Sequence, residues 1–343
     1  MKAAIVTKPG EIEVWDVADP VPGPYEALVE VIGCGFCNGT DIKVVEGHWP
    51  GVDPMPYILG HEAVGRVIAI GSKVHNLSEG QVIVQPLVGG YRERSIGTAW
   101  GGFVEQALAT DWKAMQADGV TLDNPFIRAQ QIVPREMDPA DAVMLITLKE
   151  VYSALQGFGI QDGMDVLIYG DGPVGICMAM CARQMGARKV ILSGHHDDRL
   201  ALAEQNGATH IINSNKTDIE QFVRNMAPEG LPLIIDAIGN NQVVQQGLDM
   251  IADEGHIGIY GYSDQRQATL DWSNTPVRWS LDYLVVPQLD RLTAAHEVLV
   301  EWIMDGRVNL KALVTHQISM DKAPETYRLV KSREALKVIV NMS

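Results

Sequence analysis

The spacing of hydrophobic and polar positions changes character near residue 140. Before it, short β-rich runs alternate with turn residues, at 2–6, 11–15, 25–32, 62–70, 81–86 and 103–109. Glycine and proline punctuate the gaps, which predicts a β-barrel-like domain with few helices. Beyond 140, five short apolar runs (165–169, 189–193, 211–213, 233–236 and 256–260) are separated by stretches of helical period. Apolar strands joined by helices predict a doubly wound parallel sheet. The C-terminal part reads as helices over 292–304 and 323–331, then a strand over 335–340 that rejoins the first domain.

A chain of 343 residues suits two domains of about 150 residues each. The formal net charge is −16 and the basic residues are scattered, so a phosphate backbone or an anionic membrane surface would be repelled. Nucleic acid and membrane are therefore not expected partners. No apolar run approaches the roughly 20 residues needed to span a bilayer, and the N-terminus opens directly into a strand pattern rather than a signal peptide. A cytoplasmic location is expected. Four cysteines are too few for a disulfide scaffold in a chain this size. Cys177 and Cys181 are spaced i, i+4 in an apolar helical stretch and read as core; Cys34 and Cys37 form a C-x-x-C that lacks the usual redox context.

The strand at 165–169 runs into Gly170-Asp171-Gly172-Pro173-Val174-Gly175 and then a helix ending near Gln184. This is G-x-G-x-x-G between strand and helix. Its glycines allow a tight turn, close approach of a pyrophosphate and helix–strand packing, with the helix N-terminus facing the anion. The next strand ends in Ser193-Gly194-His195-His196, with Arg199 a turn further on and no carboxylate at the strand end. A missing carboxylate removes repulsion of a 2′-phosphate, and Arg199 with the two histidines offers cations for one. NADP(H) is therefore favoured over NAD(H). A second reading stays open, in which Arg199 pairs with Asp197 or Glu204 and cofactor choice is relaxed.

Five segments stand out together: the stretch from Gly33 through Cys37 to Asp41, Gly60-His61-Glu62 with Gly65 and Gly71, residues 101–106, the loop from Gly170 to Gly175, and residues 233–239. Taken together they resemble the zinc-dependent alcohol and polyol (sorbitol-type) branch of the medium-chain dehydrogenase/reductase family. The resemblance covers essentially the whole chain. It implies an α/β protein with a GroES-like β-barrel catalytic domain made from both chain ends, at 1–148 and 286–343. A Rossmann cofactor domain of doubly wound parallel sheet would occupy 149–285. It further implies Cys37 and His61 as ligands of one catalytic zinc, Thr40 as the hydroxyl that takes the substrate proton, and Asp41 as a partner of a ligand. Thiolate and imidazole suit Zn²⁺, at about 2.3 and 2.0–2.1 Å.

Three departures from the family pattern qualify this. Asn38 adds a residue between Cys37 and Gly39-Thr40-Asp41, which alters the reach of the Thr40 hydroxyl. The position where many members carry a third ligand falls near Ile146, which cannot ligate; Glu150 lies one helical turn beyond, and Glu62 is the favoured third ligand. The segment 85–100, which in many relatives carries four cysteines, has none here, so no structural zinc is expected. Trp49, Trp100, Tyr152 and Trp279 are candidate pocket walls, His48 is a loop histidine beside Trp49, and Asp236 ends a sheet strand.

The expected activity is hydride transfer between NADP(H) and a secondary alcohol or ketone, such as a polyol or sugar derivative, with Thr40, Glu62 and Glu150 as the proton-handling candidates. Two alternatives stay open. One is a zinc-free NADPH-dependent reductase of an activated C=C or C=N bond, and the other is a non-catalytic nucleotide-binding protein. Residues 281–286 resemble the edge strand through which such Rossmann domains pair, so a homodimer or homotetramer is expected. Substrate identity depends on loops around 47–57, 90–100 and 262–282.

Overall fold

The computed structural model describes residues 1–52, 54–91, 95–263, 267–286 and 288–342. The chain divides into two compact units, Met1–Ile146 with Asn309–Ser343, and Thr147–Val308. The first unit opens with β1 (Lys2–Lys8), β2 (Glu11–Asp16), β3 (Glu26–Phe36), the short helix α1 (Thr40–Val45), β4 (Tyr57–Ile58) and β5 (Glu62–Ile70). It continues through β6 (Val82–Val84), β7 (Gly97–Thr98), β8 (Gln106–Thr110), α2 (Trp112–Ala117) and β9 (Ile132–Val133) to the long helix α3 (Pro139–Gly157), which leads into the second unit.

The second unit contains β10 (Asp165–Tyr169), α4 (Pro173–Gln184), β11 (Lys189–Gly194), α5 (Asp197–Gln205), β12 (His210–Asn213) and α6 (Ile219–Met226). It ends with β13 (Leu231–Asp236), α7 (Asn241–Leu248), β14 (Ile251–Ile259), β15 (Trp279–Tyr283), α8 (Leu289–Ala294) and α9 (His296–Met304). Its six strands are parallel, in the order β12-β11-β10-β13-β14-β15. That order is the doubly wound nucleotide-binding topology, and it follows from strands such as β10 that are buried along their whole length. Such strands take neighbours on both sides and helices on both faces.

The chain returns to the first unit as β16 (Val314–Ser319), α10 (Glu325–Lys331) and β17 (Lys337–Asn341). β17 pairs antiparallel with β3, which pairs on its other side with β5, inside a seven-stranded sheet. This double pairing explains why β3, expected to end near residue 32, runs on to Phe36. A second, four-stranded sheet, β2-β1-β4-β7, shares a core with it that includes Ile5, Phe36, Tyr57, Phe103 and Val338.

The return comes at Asn309 rather than 286. Residues 286–308 stay with the second unit because their helices pack on the C-terminal half of α3. The Ser153 hydroxyl donates to the Gln288 carbonyl at 3.4 Å, Tyr152 meets Trp302 edge-on at 5.6 Å, and Leu284 and Arg291 lie against Gly157. The helix expected over 292–304 is two helices that meet at Ala295. Among the described residues, no helix is long and apolar enough to cross a membrane.

Candidate active site

Sheet register assembles the first part of the site. Gly35 in β3 stands opposite Glu62 of β5 on one side and Ile339 of β17 on the other. A side chain at position 35 would begin 2.3 Å from the Glu62 carboxylate and 3.1 Å from Cε of Lys337. Glycine there makes room for a buried ion pair, with Lys337 Nζ donating to Glu62 Oε2 at 2.5 Å. Both side chains are almost wholly inaccessible to solvent, at 2% and 1% exposure. Burial alone would lower the lysine's pKa, but the charges of Glu62, Cys37 and Asp41 outweigh it and hold the ammonium above its ordinary value.

Cys37 follows the end of β3 and His61 immediately precedes β5, so the same strand pairing brings them together. The ligand-type atoms of Cys37, His61 and Glu62 all lie within 4.8 Å of one another, and all three residues are buried. Asp41, at the first turn of α1 and fully buried, organises this group. Its Oδ2 accepts the Cys37 backbone N–H at 2.8 Å, and its Oδ1 lies 3.3 Å from His61 Nδ1. Burial disfavours a charged His61, but Asp41 overrides it and, with Cys37, raises the imidazole pKa well above the usual range.

A buried thiol, imidazole and carboxylate converging this closely fit a Zn²⁺ ion, whose bonds of about 2.0–2.3 Å tolerate such spacing. An acid behind the histidine is the usual way to orient a ligating ring. The fit has one competing feature, the Lys337 ammonium already paired with Glu62.

Thr40 is half-buried, and its backbone N–H points at the Cys37 sulfur at 3.4 Å. Asn38 is absorbed in the turn before α1, where its amide donates to the Leu336 carbonyl at 2.8 Å, so the Cys37–Asp41 contact survives the extra residue. Trp100 packs 5.1 Å from the His61 ring, with Trp49 edge-on to it at 6.3 Å. Trp100 has φ of 68°, a left-handed conformation that bulky residues adopt at a cost of about 1–3 kcal/mol and that is often kept at functional sites. His48 is exposed, 3.7 Å from Glu46.

Glu150 is half-buried in α3 and belongs to the second unit with Tyr152, outside the Cys37–His61–Glu62 group. Ile146 is fully buried core. Lys149, also in α3, is buried, and burial pushes its ammonium down to about 7 against the opposing charge of Glu150. Trp279 lies tilted against Trp272, with ring centroids 6.3 Å apart. Of the three loops expected to shape a pocket, residues 53, 92–94 and 264–266 lie outside the described residues.

The glycine loop has its expected form. Gly170 takes φ of 122° as β10 ends, Gly172 opens α4 with nothing within 4 Å of its Cβ direction, and Gly175 approaches the Gly170 carbonyl too closely for any side chain. Pro173 and Val174 form the first turn of α4, with the proline where a helix needs no N–H donor. At the tip of β11, His195 is exposed and its Nδ1 lies 2.9 Å from the Ser214 hydroxyl, while His196 and Arg199 are half-buried. Asp197 is held by Lys216 and Asn213. Asp236 accepts the backbone N–H groups of Ile238, Gly239 and Asn240, a structural cap on the loop after β13.

Two polar residues at these sites escape sequence reasoning. Lys337 was visible only as a charge inside an otherwise apolar strand. Asp171 was visible only as the residue between two glycines, yet its carboxylate reaches the β11 tip and accepts the backbone N–H groups of His195 and His196.

A parallel-sheet unit with this glycine loop, in one chain with a β-rich unit bearing a thiol–imidazole–carboxylate cluster, defines a dinucleotide-dependent dehydrogenase. Residues 173–282 match the family model described as zinc-binding dehydrogenase, and residues 23–119 match that of the alcohol dehydrogenase GroES-like domain. The chain belongs to the medium-chain dehydrogenase/reductase family, in its zinc-dependent alcohol and polyol dehydrogenase branch, and is an oxidoreductase of that family. It is 26% identical to a sorbitol dehydrogenase of Halalkalibacterium halodurans over 99% of each chain. It is 28% identical to an L-threonine 3-dehydrogenase of Pyrococcus horikoshii, over 99% of this chain and 98% of that one. The solved structure of alcohol dehydrogenase TADH from Thermus sp. ATN1 has the same fold, with a TM-score of 0.82 at 24% identity over 100% of both chains.

Proposed function

We propose that this protein interconverts a secondary alcohol and its ketone by hydride exchange with a nicotinamide dinucleotide, using one zinc ion held by Cys37, His61 and Glu62. The observation that carries this reading is the buried convergence of those three donors with Asp41 behind two of them. Asp41 faces His61 Nδ1, so Nε2 would be the nitrogen offered to the metal. When bound, the zinc would supply Lewis acidity at the alcohol or carbonyl oxygen.

The chain's own groups do the rest. Trp100 and Trp49 offer apolar surface beside His61 for the carbon skeleton of the substrate. Thr40 and Glu62, with water, are the proposed proton carriers, and Glu150 is a further candidate on α3. The Gly170–Gly175 loop would hold the pyrophosphate at the N-terminus of α4. A polyol or sugar-type alcohol is the substrate class favoured, with the sorbitol dehydrogenase relative in support. NADP(H) was the cofactor favoured from the residues at the β11 tip; the position of Asp171 argues against that preference. Four buried cysteine thiols outside any disulfide suit a reducing, cytoplasmic setting.

One observation favours a second reading. Lys337 already neutralises Glu62, as would suit a zinc-free relative that reduces an activated C=C or C=N bond. Elemental analysis of purified protein separates the two. About one zinc per chain, lost together with alcohol oxidation in Cys37→Ala, supports the first. A metal-free protein whose activity survives chelation overturns it.

A further inference from the structure

The β11 tip lacks an acidic residue in sequence but not in space. Gly194 ends β11, the position whose side chain, when acidic, hydrogen-bonds the adenosine ribose in dinucleotide-binding sheets. A Cβ on Gly194 would lie 2.4 Å from Asp171 Cβ and 2.5 Å from both its Cγ and Oδ2. The carboxyl group of Asp171, sent across from the glycine loop, therefore fills the volume in which a strand-end side chain would begin.

We infer that Asp171 is the carboxylate that meets the adenosine ribose of the cofactor and sets a preference for NAD(H) over NADP(H). The inference rests on the dinucleotide reading of the Gly170–Gly175 loop and reverses the preference drawn from the strand end alone.

Asp171 is built to be ionised and held still. Its Oδ2 accepts the N–H of His195 at 2.7 Å, the N–H of His196 at 2.8 Å, and lies 2.9 Å from His196 Nδ1. Burial would raise its pKa, but these three donors outweigh that and hold the carboxyl below its ordinary range. All three contacts fall on Oδ2, so Oδ1 is the oxygen that would accept a ribose hydroxyl, and the side chain retains 10% exposure.

The same bonds remove what a 2′-phosphate needs. The two backbone N–H groups at the entry to α5, and the Nδ1 of His196, are already satisfied by the protein's own anion. A 2′-phosphate approaching this tip meets a fixed negative charge in a partly desolvated place, where screening is weak. An uncharged ribose diol meets an acceptor.

The test is equilibrium binding of NAD⁺ and NADP⁺ by calorimetry to the full-length protein, to Asp171→Asn, and to the exchange variant Asp171→Gly with Gly194→Asp. Asn is isosteric and keeps an oxygen for the two N–H groups while losing the charge. The unmodified protein is expected to bind NAD⁺ at least tenfold more tightly than NADP⁺, Asp171→Asn to narrow that ratio at least tenfold, and the exchange variant to restore it. Thermal melts confirm that each variant is folded, and the exchange variant keeps the inference falsifiable should Asp171→Asn be unstable. Tighter binding of NADP⁺ by the unmodified protein, or an unchanged ratio in folded Asp171→Asn, overturns the inference and leaves the dinucleotide reading standing. Binding of neither nucleotide overturns both.

Discussion

Replacing Lys337 by methionine tests how the buried Cys37–His61–Glu62 group is stabilised, because it removes a buried ammonium while keeping the length and much of the volume of the side chain. In the native protein the Lys337–Glu62 pair spans β17 and β5 across Gly35, with a 2.5 Å hydrogen bond and almost no solvent contact. The variant leaves the Glu62 carboxylate buried without its partner, which costs about 3–5 kcal/mol. At roughly 2–4 °C per kcal/mol for a unit of this size, the first unit should melt about 6–20 °C lower. Converting the carboxylate as well, in Glu62→Gln with Lys337→Met, should recover most of the loss, since removing both charges of a buried pair is often close to neutral.

Zinc gives the experiment its resolving power. If Glu62 is a ligand, the metal supplies positive charge to the same carboxylate, and Lys337→Met should lose clearly less stability in zinc-loaded than in chelator-treated protein. The assay is thermal unfolding by circular dichroism of the unmodified protein, both variants, and each with and without zinc. A chelator-treated Lys337→Met protein that melts within about 2 °C of the unmodified one would refute the ion-pair reasoning. An equal loss with and without zinc would refute Glu62 as a ligand.

Three further outcomes follow from the geometry. Asp41→Asn, which weakens the hold on both the Cys37 backbone and the His61 ring, should lower zinc affinity about 10–100-fold by competition with a chromogenic chelator, and unchanged affinity would remove Asp41 from the site. Asp111 accepts the backbone N–H groups of His75, Asn76 and Ala114. Burial raises its pKa, but these bonds outweigh it and hold it below the ordinary 3.8. Its stabilisation is therefore present above that value and lost as pH falls through the lower folded pKa. Asp111→Ala should cost about 1–3 kcal/mol in urea melts at pH 7, and the gap should shrink below pH 4; a gap independent of pH would contradict this. Finally, β15 closes one end of the six-stranded sheet and leaves Leu281 and Tyr283 exposed. A dimer through this edge predicts that Leu281→Lys lowers the mass measured by light scattering to that of one chain, whereas an unchanged assembly would place the interface elsewhere.

Much of the architecture was legible from periodicity because burial on one face or two leaves a direct trace in residue order. β10 reads as continuously apolar because it is covered on both faces, and the glycine loop reads as a phosphate turn because Gly175 cannot carry a side chain so close to Gly170. Cys37, His61 and Glu62 were legible as candidate ligands by residue type and by family resemblance. The extent of the second unit was not, because what keeps residues 286–308 with it is packing of Tyr152 on Trp302 and of Arg291 against Gly157, contacts between distant stretches that leave no local period.

The sequence by itself determined the two kinds of domain, the nucleotide loop and the three donors. Only tertiary structure decided which charges those groups meet. Lys337 stands 275 positions from Glu62 and reaches it because β17 pairs with the same strand, β3, that pairs with β5. Asp171 reaches the tip of β11, 24 positions away from His195, because β10 and β11 are parallel neighbours whose loops emerge at the same end of the sheet. Electrostatic environment depends on distance in space. The acid missing from the end of β11 in the residue order is thus matched in space by Asp171, which the fold brings to the same tip.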